Sequence, residues 1–244
     1  MKILAIDTAT ASGSIALLED GRLIAELTTC IQETHAERLL PSIKTLLHGI
    51  GASIEDVDGF ALAAGPGSFT GLRIGLSTIK GLAWSLNKKV VCVSTLEALA
   101  MNLPYSDKQI CPLLDARKKE VYAGIYKFQD ASFKMQDNDR LETCGLQLAT
   151  CLMPDAALSP EALIERITKS TIFLGDGLKV YGNPIKAMLK DKAIIAPEYL
   201  WTIKASNIGL LAWKRFKNGD SDSPQTVELK YLRPSEAELK MRKG

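Results

Sequence analysis

The sequence predicts an α/β fold built as two lobes that begin in the same way. Three observations carry this. Lys2-Ile3-Leu4-Ala5-Ile6-Asp7 is an apolar strand ending at an acid, and Gln109-Ile110-Cys111-Pro112-Leu113-Leu114-Asp115-Ala116-Arg117 repeats that pattern. Each is followed by a second apolar strand, Ser14–Leu18 in one case and Val121–Tyr126 in the other. Between them, Gly59–Ala64 and Val90–Val93 are short continuous apolar runs, each leading into a helical pattern. Strand, helix, strand, helix with continuous apolar strands means a parallel sheet covered on both faces. A chain of 244 residues holds one large domain or two small ones. The restart divides it at residues 1–105 and 106–244.

The elements of the first lobe follow from local chemistry. Asp20-Gly21 is a two-residue hairpin turn, from which Leu23–Thr28 returns as a third strand. Thr34 and Glu37 form a capping box. Leu39, Ile43, Leu46 and Ile50, with Leu40 and Leu47 beside them, make a broad helical stripe. Pro41 inside it predicts a kink or a later start, and Gly49 and Gly51 end it. Gly65–Gly71 is a Gly-rich turn opening a long helix to about Asn87, and Ser94 with Glu97 caps another through about Asn102.

The second lobe is less regular. A third strand is expected near Phe133–Met135 or beyond Asp139, a helix over Pro160–Thr168, and a strand with a Gly-rich turn over Thr171–Gly177. A further helix spans Ile203–Phe216, followed by a polar loop at Asn218–Pro224, the segment Val227–Leu232 and a charged tail, Pro234–Gly244, expected to be mobile.

Composition removes several classes. At 46% hydrophobic and 24% charged the chain is too apolar for disorder. Thirty Lys and Arg against 28 Asp and Glu leave +2, which argues against a protein living on nucleic acid by itself, though not against a member of an RNA-binding assembly. No apolar run reaches the roughly 20 residues of a membrane helix, and Met1 leads into a strand without a secretory leader. The five cysteines, Cys30, Cys92, Cys111, Cys144 and Cys151, contain no Cys-x-x-Cys and read as reduced, mostly buried thiols in the cytoplasm. Only His35 and His48 are available for imidazole chemistry, and His35 reads as a surface residue.

Two features suggest a nucleotide. Asp7 and Asp115 each end a strand before a turn, and facing turns across a cleft hold phosphates and a magnesium ion in some folds. Turn capping is the simpler role for either residue alone. The Gly65-Pro66-Gly67-Ser68-Phe69-Thr70-Gly71 loop has the strand, glycine loop, helix layout that offers N–H groups to an anion. Its spacing fits neither a dinucleotide fingerprint nor a P-loop. Gly67, Gly71 and Gly75 step by four, as do Ser77, Gly81 and Ser85, which favours close packing of another backbone. Arg73 is placed to pair with a carboxylate, a phosphate or a partner chain, and Lys118-Lys119 is a short basic turn.

Ile6-Asp7-Thr8-Ala9-Thr10, His35–Pro41, Gly65–Gly75, Leu114–Arg117 with Glu120-Val121-Tyr122, and Tyr231-Leu232-Arg233 together resemble the TsaB (YeaZ) family over nearly the whole chain. The resemblance implies an actin-like (sugar kinase/heat-shock ATPase-like) fold with mixed sheets flanked by helices. It also implies a cytoplasmic, non-catalytic role in installing threonylcarbamoyl on adenosine 37 of tRNAs reading codons that start with A. The partners implied are the catalytic paralogue TsaD, the ATPase TsaE, tRNA through the complex, and a second copy when TsaD is absent. TsaD-type proteins carry a metal on a His-x-x-x-His helix after the fifth strand; Ser94–Ala100 occupies that place here without a histidine. No metal and no cofactor are therefore expected. Asp7, Asp115, Gly65, Gly67, Gly175 and Gly177 would line a vestigial nucleotide cleft. Contacts to TsaD through the first two helices are expected from Leu39, Ile43, Leu46, Leu47, Ile50, Gly71, Arg73, Gly75, Thr78 and Leu82. The competing readings are an active ATPase or kinase of the same fold and, against the missing histidines, a metalloprotease.

Overall fold

A computed structural model describes residues 1–31, 34–128 and 150–233. Phe133–Met135, the first of the two places expected for a third strand, the tail from Pro234, and Cys144 lie outside the described residues. The chain divides into two compact units. The first runs to Leu99 and resumes at Trp201, and the second is Ala100–Leu200.

The first unit is a five-stranded sheet of β1 (Lys2–Asp7), β2 (Gly13–Glu19), β3 (Arg22–Thr29), β4 (Gly59–Ala63) and β5 (Lys89–Val93), in the order β3-β2-β1-β4-β5. β1 pairs antiparallel with β2 and parallel with β4, and β4 pairs parallel with β5. The apolar alternation splits between two faces. Leu4, Ile6, Ile15, Leu17, Phe60 and Leu62 join Leu39, Ile43, Leu46, Leu47 and Ile79 in one core. These last five come from α1 (His35–Gly49) and α2 (Phe69–Ser85). The opposite face, with Leu18 and Gly59, lies against Gly209 and Phe216 of α6 (Ala205–Lys217).

Local signals explain where α1 starts and stops. The backbone N–H of Thr34 and its hydroxyl both donate to Glu37 Oε2, at 3.1 and 2.7 Å. The helix continues through Pro41 from a start at His35. It ends in a Schellman arrangement, with Gly51 N–H donating to His48 O and Ala52 N–H to Leu47 O. Gly51 supplies the left-handed φ of +66° which that ending requires.

The second unit repeats the topology. β6 (Gln109–Arg117), β7 (Glu120–Lys127), β8 (Thr150–Leu158), β9 (Thr171–Leu174) and β10 (Ala193–Ile195) lie in the order β10-β9-β6-β7-β8. β6 pairs antiparallel with β7 and parallel with β9, as β1 does with β2 and β4. β8 is the third strand of this repeat and sits antiparallel on β7. The two units thus share one strand order, as the repeated start of the sequence predicts. α4 (Pro160–Arg166) and α5 (Leu178–Leu189) accompany this sheet. α5 escapes the sequence pattern because Gly182 and Pro184 interrupt its middle.

One boundary differs from the sequence-based division. Residues from Trp201 onward pack with the first unit, not with 106–200. Ile208, Leu211 and Ala212 of α6 are buried, and Val90 exchanges backbone bonds with Asp222 at 2.9 and 2.8 Å. The first sheet has two apolar faces, while α1 and α2 cover one, so a later segment must return to cover the other.

Ile208 is fully buried, so Ile208→Ala should cost about 2–5 kcal/mol in urea unfolding. Hydrogen exchange should then rise in β1, β2 and β4 more than in β6, β7 and β9.

Candidate functional site

The exit of β1 is buried and closely packed. Asp7 and Thr8 are 1% and 2% exposed. Ala9 N–H donates to Asp7 Oδ1 at 3.1 Å, so Asp7 caps its own turn. The start of α2 lies directly over this turn. A β-carbon on Gly67 would come within 2.5 Å of Ala9 O. One on Gly71 would strike Thr8 O, and one on Gly75 would strike Thr8 Oγ1. Gly71 and Gly75, four apart, lie on one stripe of the helix, and Gly67 just before its cap continues the surface against which the β1 exit packs.

Gly65 serves the same packing from the other side. Its φ is +117°, and a side chain there would meet Lys230 O at 2.6 Å. Thr95 N–H donates to Gly65 O, and Lys230 N–H to Ala64 O, each at 2.9 Å. Ser68 caps α2, its hydroxyl accepting from Gly71 N–H at 3.3 Å. The glycine loop is therefore a packing device. Asp7 is buried at the turn that this loop packs on, and a side chain at Gly65 or Gly67 would meet Lys230 O or Ala9.

The turn after β1 is gripped from α1. His35 bonds Thr10 O at 2.7 Å through Nε2, and Arg38 Nη2 donates to Ala11 O at 2.7 Å and to His35 Nδ1 at 3.1 Å. Arg38 has only donors, so His35 Nδ1 accepts and Nε2 carries the proton. Arg38 is 6% exposed. Burial holds the His35 imidazole below its ordinary range, and the neighbouring guanidinium acts in the same direction. His35, read from sequence as a surface residue, is half-buried in this clamp. A polar His and Arg one helical turn apart, beside the apolar stripe, was the available signal.

The second unit has the matching turn. Arg117 N–H donates to Asp115 Oδ1 at 2.8 Å, as Ala9 does to Asp7. Asp115 N–H donates to Asp176 Oδ1 at 3.3 Å. Burial pushes the Asp176 carboxyl up, and the Asp115 charge adds to it. Gly177 N–H donates to Leu113 O at 3.1 Å, and a side chain on Gly177 would crowd Leu113 and Leu114 at 3.0 Å. Gly175 adopts a φ of +115°. Asp115 keeps 18% of its side chain exposed, so this turn is more open than that of Asp7. Among the described residues, no three His, Cys, Asp or Glu side chains converge as metal ligands.

The expected partner surface needs correcting. Leu39, Ile43, Leu46 and Leu47 are at most 7% exposed and belong to the core of the first unit. Gly71 and Gly75 are covered by Thr8. One helical stripe cannot both fill a core and face a partner, and here the sheet takes it. Ile50, Arg73, Thr78 and Leu82 retain exposure. The outward faces also carry Leu40 and Trp84, 53% and 64% exposed. Arg73 Nε donates to Tyr231 Oη at 3.1 Å, beside a Phe69–Tyr231 stack at 4.8 Å.

The cysteines also depart from expectation. Cys30 and Cys151 are exposed, Cys111 is buried, and burial pushes the Cys92 thiol up to about 12. Among the described residues, no helix is long and apolar enough to cross a membrane.

Comparison with known proteins places this architecture. The sequence model of the family described as TsaD: tRNA N6-adenosine threonylcarbamoyltransferase matches residues 28–241. The tRNA threonylcarbamoyladenosine biosynthesis protein TsaB of Bacillus subtilis (strain 168) is 32% identical over 240 residues, 98% of this chain and 97% of that protein. The chain belongs to the TsaB family. Its Escherichia coli (strain K12) relative of the same name is 30% identical, covering 99% of this chain and 98% of the relative. YeaZ from Pseudomonas aeruginosa superimposes with a TM-score of 0.75 at 28% identity, covering 95% of this chain and 99% of that one. Two mixed sheets flanked by helices are thus a TsaB/YeaZ property.

Gly71→Ala should destabilise the protein by about 1–3 kcal/mol, because Thr8 O is backbone and must move. Gly81→Ala, which has nothing within 4 Å, should stabilise α2 by about 0.5–1 kcal/mol. Urea midpoints check both.

His35 binds its proton less readily folded than unfolded. The clamp's contribution is therefore complete above about pH 6.5 and declines as pH falls through the unfolded value toward the lower folded one. Urea midpoints measured between about pH 7.5 and pH 5.5 should fall less steeply for His35→Gln than for the natural sequence.

Proposed function

We propose that this chain is a non-catalytic subunit of the apparatus that makes threonylcarbamoyladenosine at position 37 of tRNAs reading codons that start with A. Its task is to hold and activate a TsaD-type subunit. The observation that carries this reading is near-full-length similarity to TsaB proteins, whose names tie them to that modification. The local chemistry supports it. Asp7 is buried at the β1 exit, and α3 (Thr95–Ala100), after β5, carries no histidine.

The contact with TsaD uses the outward faces of α1 and α2. Leu40, Ile50 and Trp84 are exposed apolar groups on or beside these helices, with Lys44, His48, Arg73, Ser77 and Gly81 around them. Thr78 and Leu82 are half-buried at the edge of this surface. A second copy of this chain occupies the same faces when TsaD is absent. TsaE joins the assembled pair, and tRNA reaches the chain within the complex.

The test is co-purification with TsaD and TsaE, followed by tRNA modification from threonylcarbamoyl-adenylate with each protein omitted in turn. Product is expected only when this chain and TsaD are both present. Product from this chain without TsaD overturns the reading.

Leu40→Glu and Trp84→Glu should each weaken TsaD capture by tenfold or more while urea stability stays unchanged, as large exposed apolar anchors dominate interface energies by about 2 kcal/mol or more. Leu46→Glu should instead unfold the chain, since Leu46 is 7% exposed within the core.

A further inference from the structure

Six non-glycine residues among those described adopt a positive φ, and three are consecutive: Arg117, Lys118 and Lys119, at +62°, +52° and +62°. They form the tip of the β6–β7 hairpin. Lys118 and Lys119 are the two central residues of its turn, between the paired residues Arg117 and Glu120. Positive φ at both central residues defines a type I′ turn, which selects Asn-Gly or Asp-Gly. The first unit obeys that preference: its β2–β3 turn is Asp20-Gly21, at +50° and +78°. Lysine and arginine have no such aptitude, because their β-carbons crowd the backbone in this region. A register shift between Asp115 and Arg117 adds a bulge beside the turn.

The turn is held in this conformation from beneath. Asp115 accepts the Arg117 N–H at 2.8 Å and lies 3.4 Å from Arg117 Nη1. The flanking Ala116 and Val121 are buried. The Asp115 and Asp176 carboxylates are engaged with the backbone N–H groups of Arg117 and Asp115. Above them Arg117, Lys118 and Lys119 are all exposed, with 86% of the Arg117 side chain in solvent. Backbone strain that persists beside well-formed strands points to a function for the strained residues. Here the turn presents Lys118 and Lys119, beside an Arg117 paired with Asp115, at one exposed tip of a chain whose net charge is only +2.

We propose that the Arg117–Lys119 turn is a contact for the phosphodiester backbone of RNA, engaged when the tRNA to be modified is bound. The reading rests on the proposed role in tRNA modification and deepens it by assigning this chain a direct share of the RNA contact. Lysines contribute charge without base specificity, so the turn would position the tRNA and leave its sequence to be read elsewhere.

The test uses the full chain assembled with TsaD and an unmodified tRNA transcript, with affinity measured over a range of salt concentrations. Lys119→Glu should weaken binding about tenfold near 0.1 M salt. The double change Lys118→Asn with Lys119→Gly installs the favoured turn. It should raise Tm by about 2–4 °C while weakening tRNA binding and lowering the slope of log affinity against log salt by about 1.4–1.8, the value for two lost phosphate contacts. Unchanged tRNA affinity and slope in both variants, with the complex intact by size-exclusion chromatography, overturns the proposal. So does a loss of TsaD association in place of tRNA affinity, which would make the turn a protein contact. Failure of the natural complex to bind or modify tRNA would instead overturn the proposed function, so the two failures are distinguishable.

Discussion

The approach of α2 to the exit of β1 is the contact on which the first unit turns. Thr8 and Ala9 pass so close to the helix that Gly67, Gly71 and Gly75 leave no room for a β-carbon. That approach buries Asp7 and Thr8, joins α2 to the central strand, and leaves the other sides of the helix to the core and to solvent. It also explains why the segment that opens α2 is rich in glycine: backbone meets backbone there. From α1, the His35–Arg38 pair holds the same turn by its carbonyls, so the turn is fixed from two helices at once.

The duplication has diverged in the way it treats equivalent turns. Asp7 and Asp115 perform the same local act, accepting the N–H two residues ahead. In the first unit the turn is then closed over by α2 and clamped by α1. In the second it is a short hairpin with exposed basic side chains and a partly exposed carboxylate.

Much of this was legible in the residues. The strand-ending acids, the capping box at Thr34 and Glu37, the Asp20-Gly21 turn and the restart at Gln109 all depend on neighbours within a few residues, and each is where the sequence places it. The glycine stripe was legible as a packing signal, because its spacing of four is local. Other features were not legible, for identifiable reasons. α5 contains Gly182 and Pro184, so its propensity argues against the helix that tertiary packing of Ile185 and Leu189 sustains. The apolar stripe of α1 says that one face must be covered, but not by what. The sheet claims Leu39, Ile43, Leu46 and Leu47, and Leu40 and Trp84 are left exposed.

By itself the sequence determined the α/β class, the duplicated start and the TsaB/YeaZ resemblance, since these reside in local pattern and in motifs contiguous along the chain. Only the tertiary structure decided that the segment from Trp201 returns to the first unit, that His35 is part of a clamp, and that Asp7 is buried. Each depends on contacts between residues far apart in sequence: Gly209 on Leu18, Arg38 on Ala11, Gly71 on Thr8. The free energy of burying an apolar face is indifferent to which segment covers it. The choice is made by shape and by the glycines that permit close approach, and neither is visible until the chain is folded.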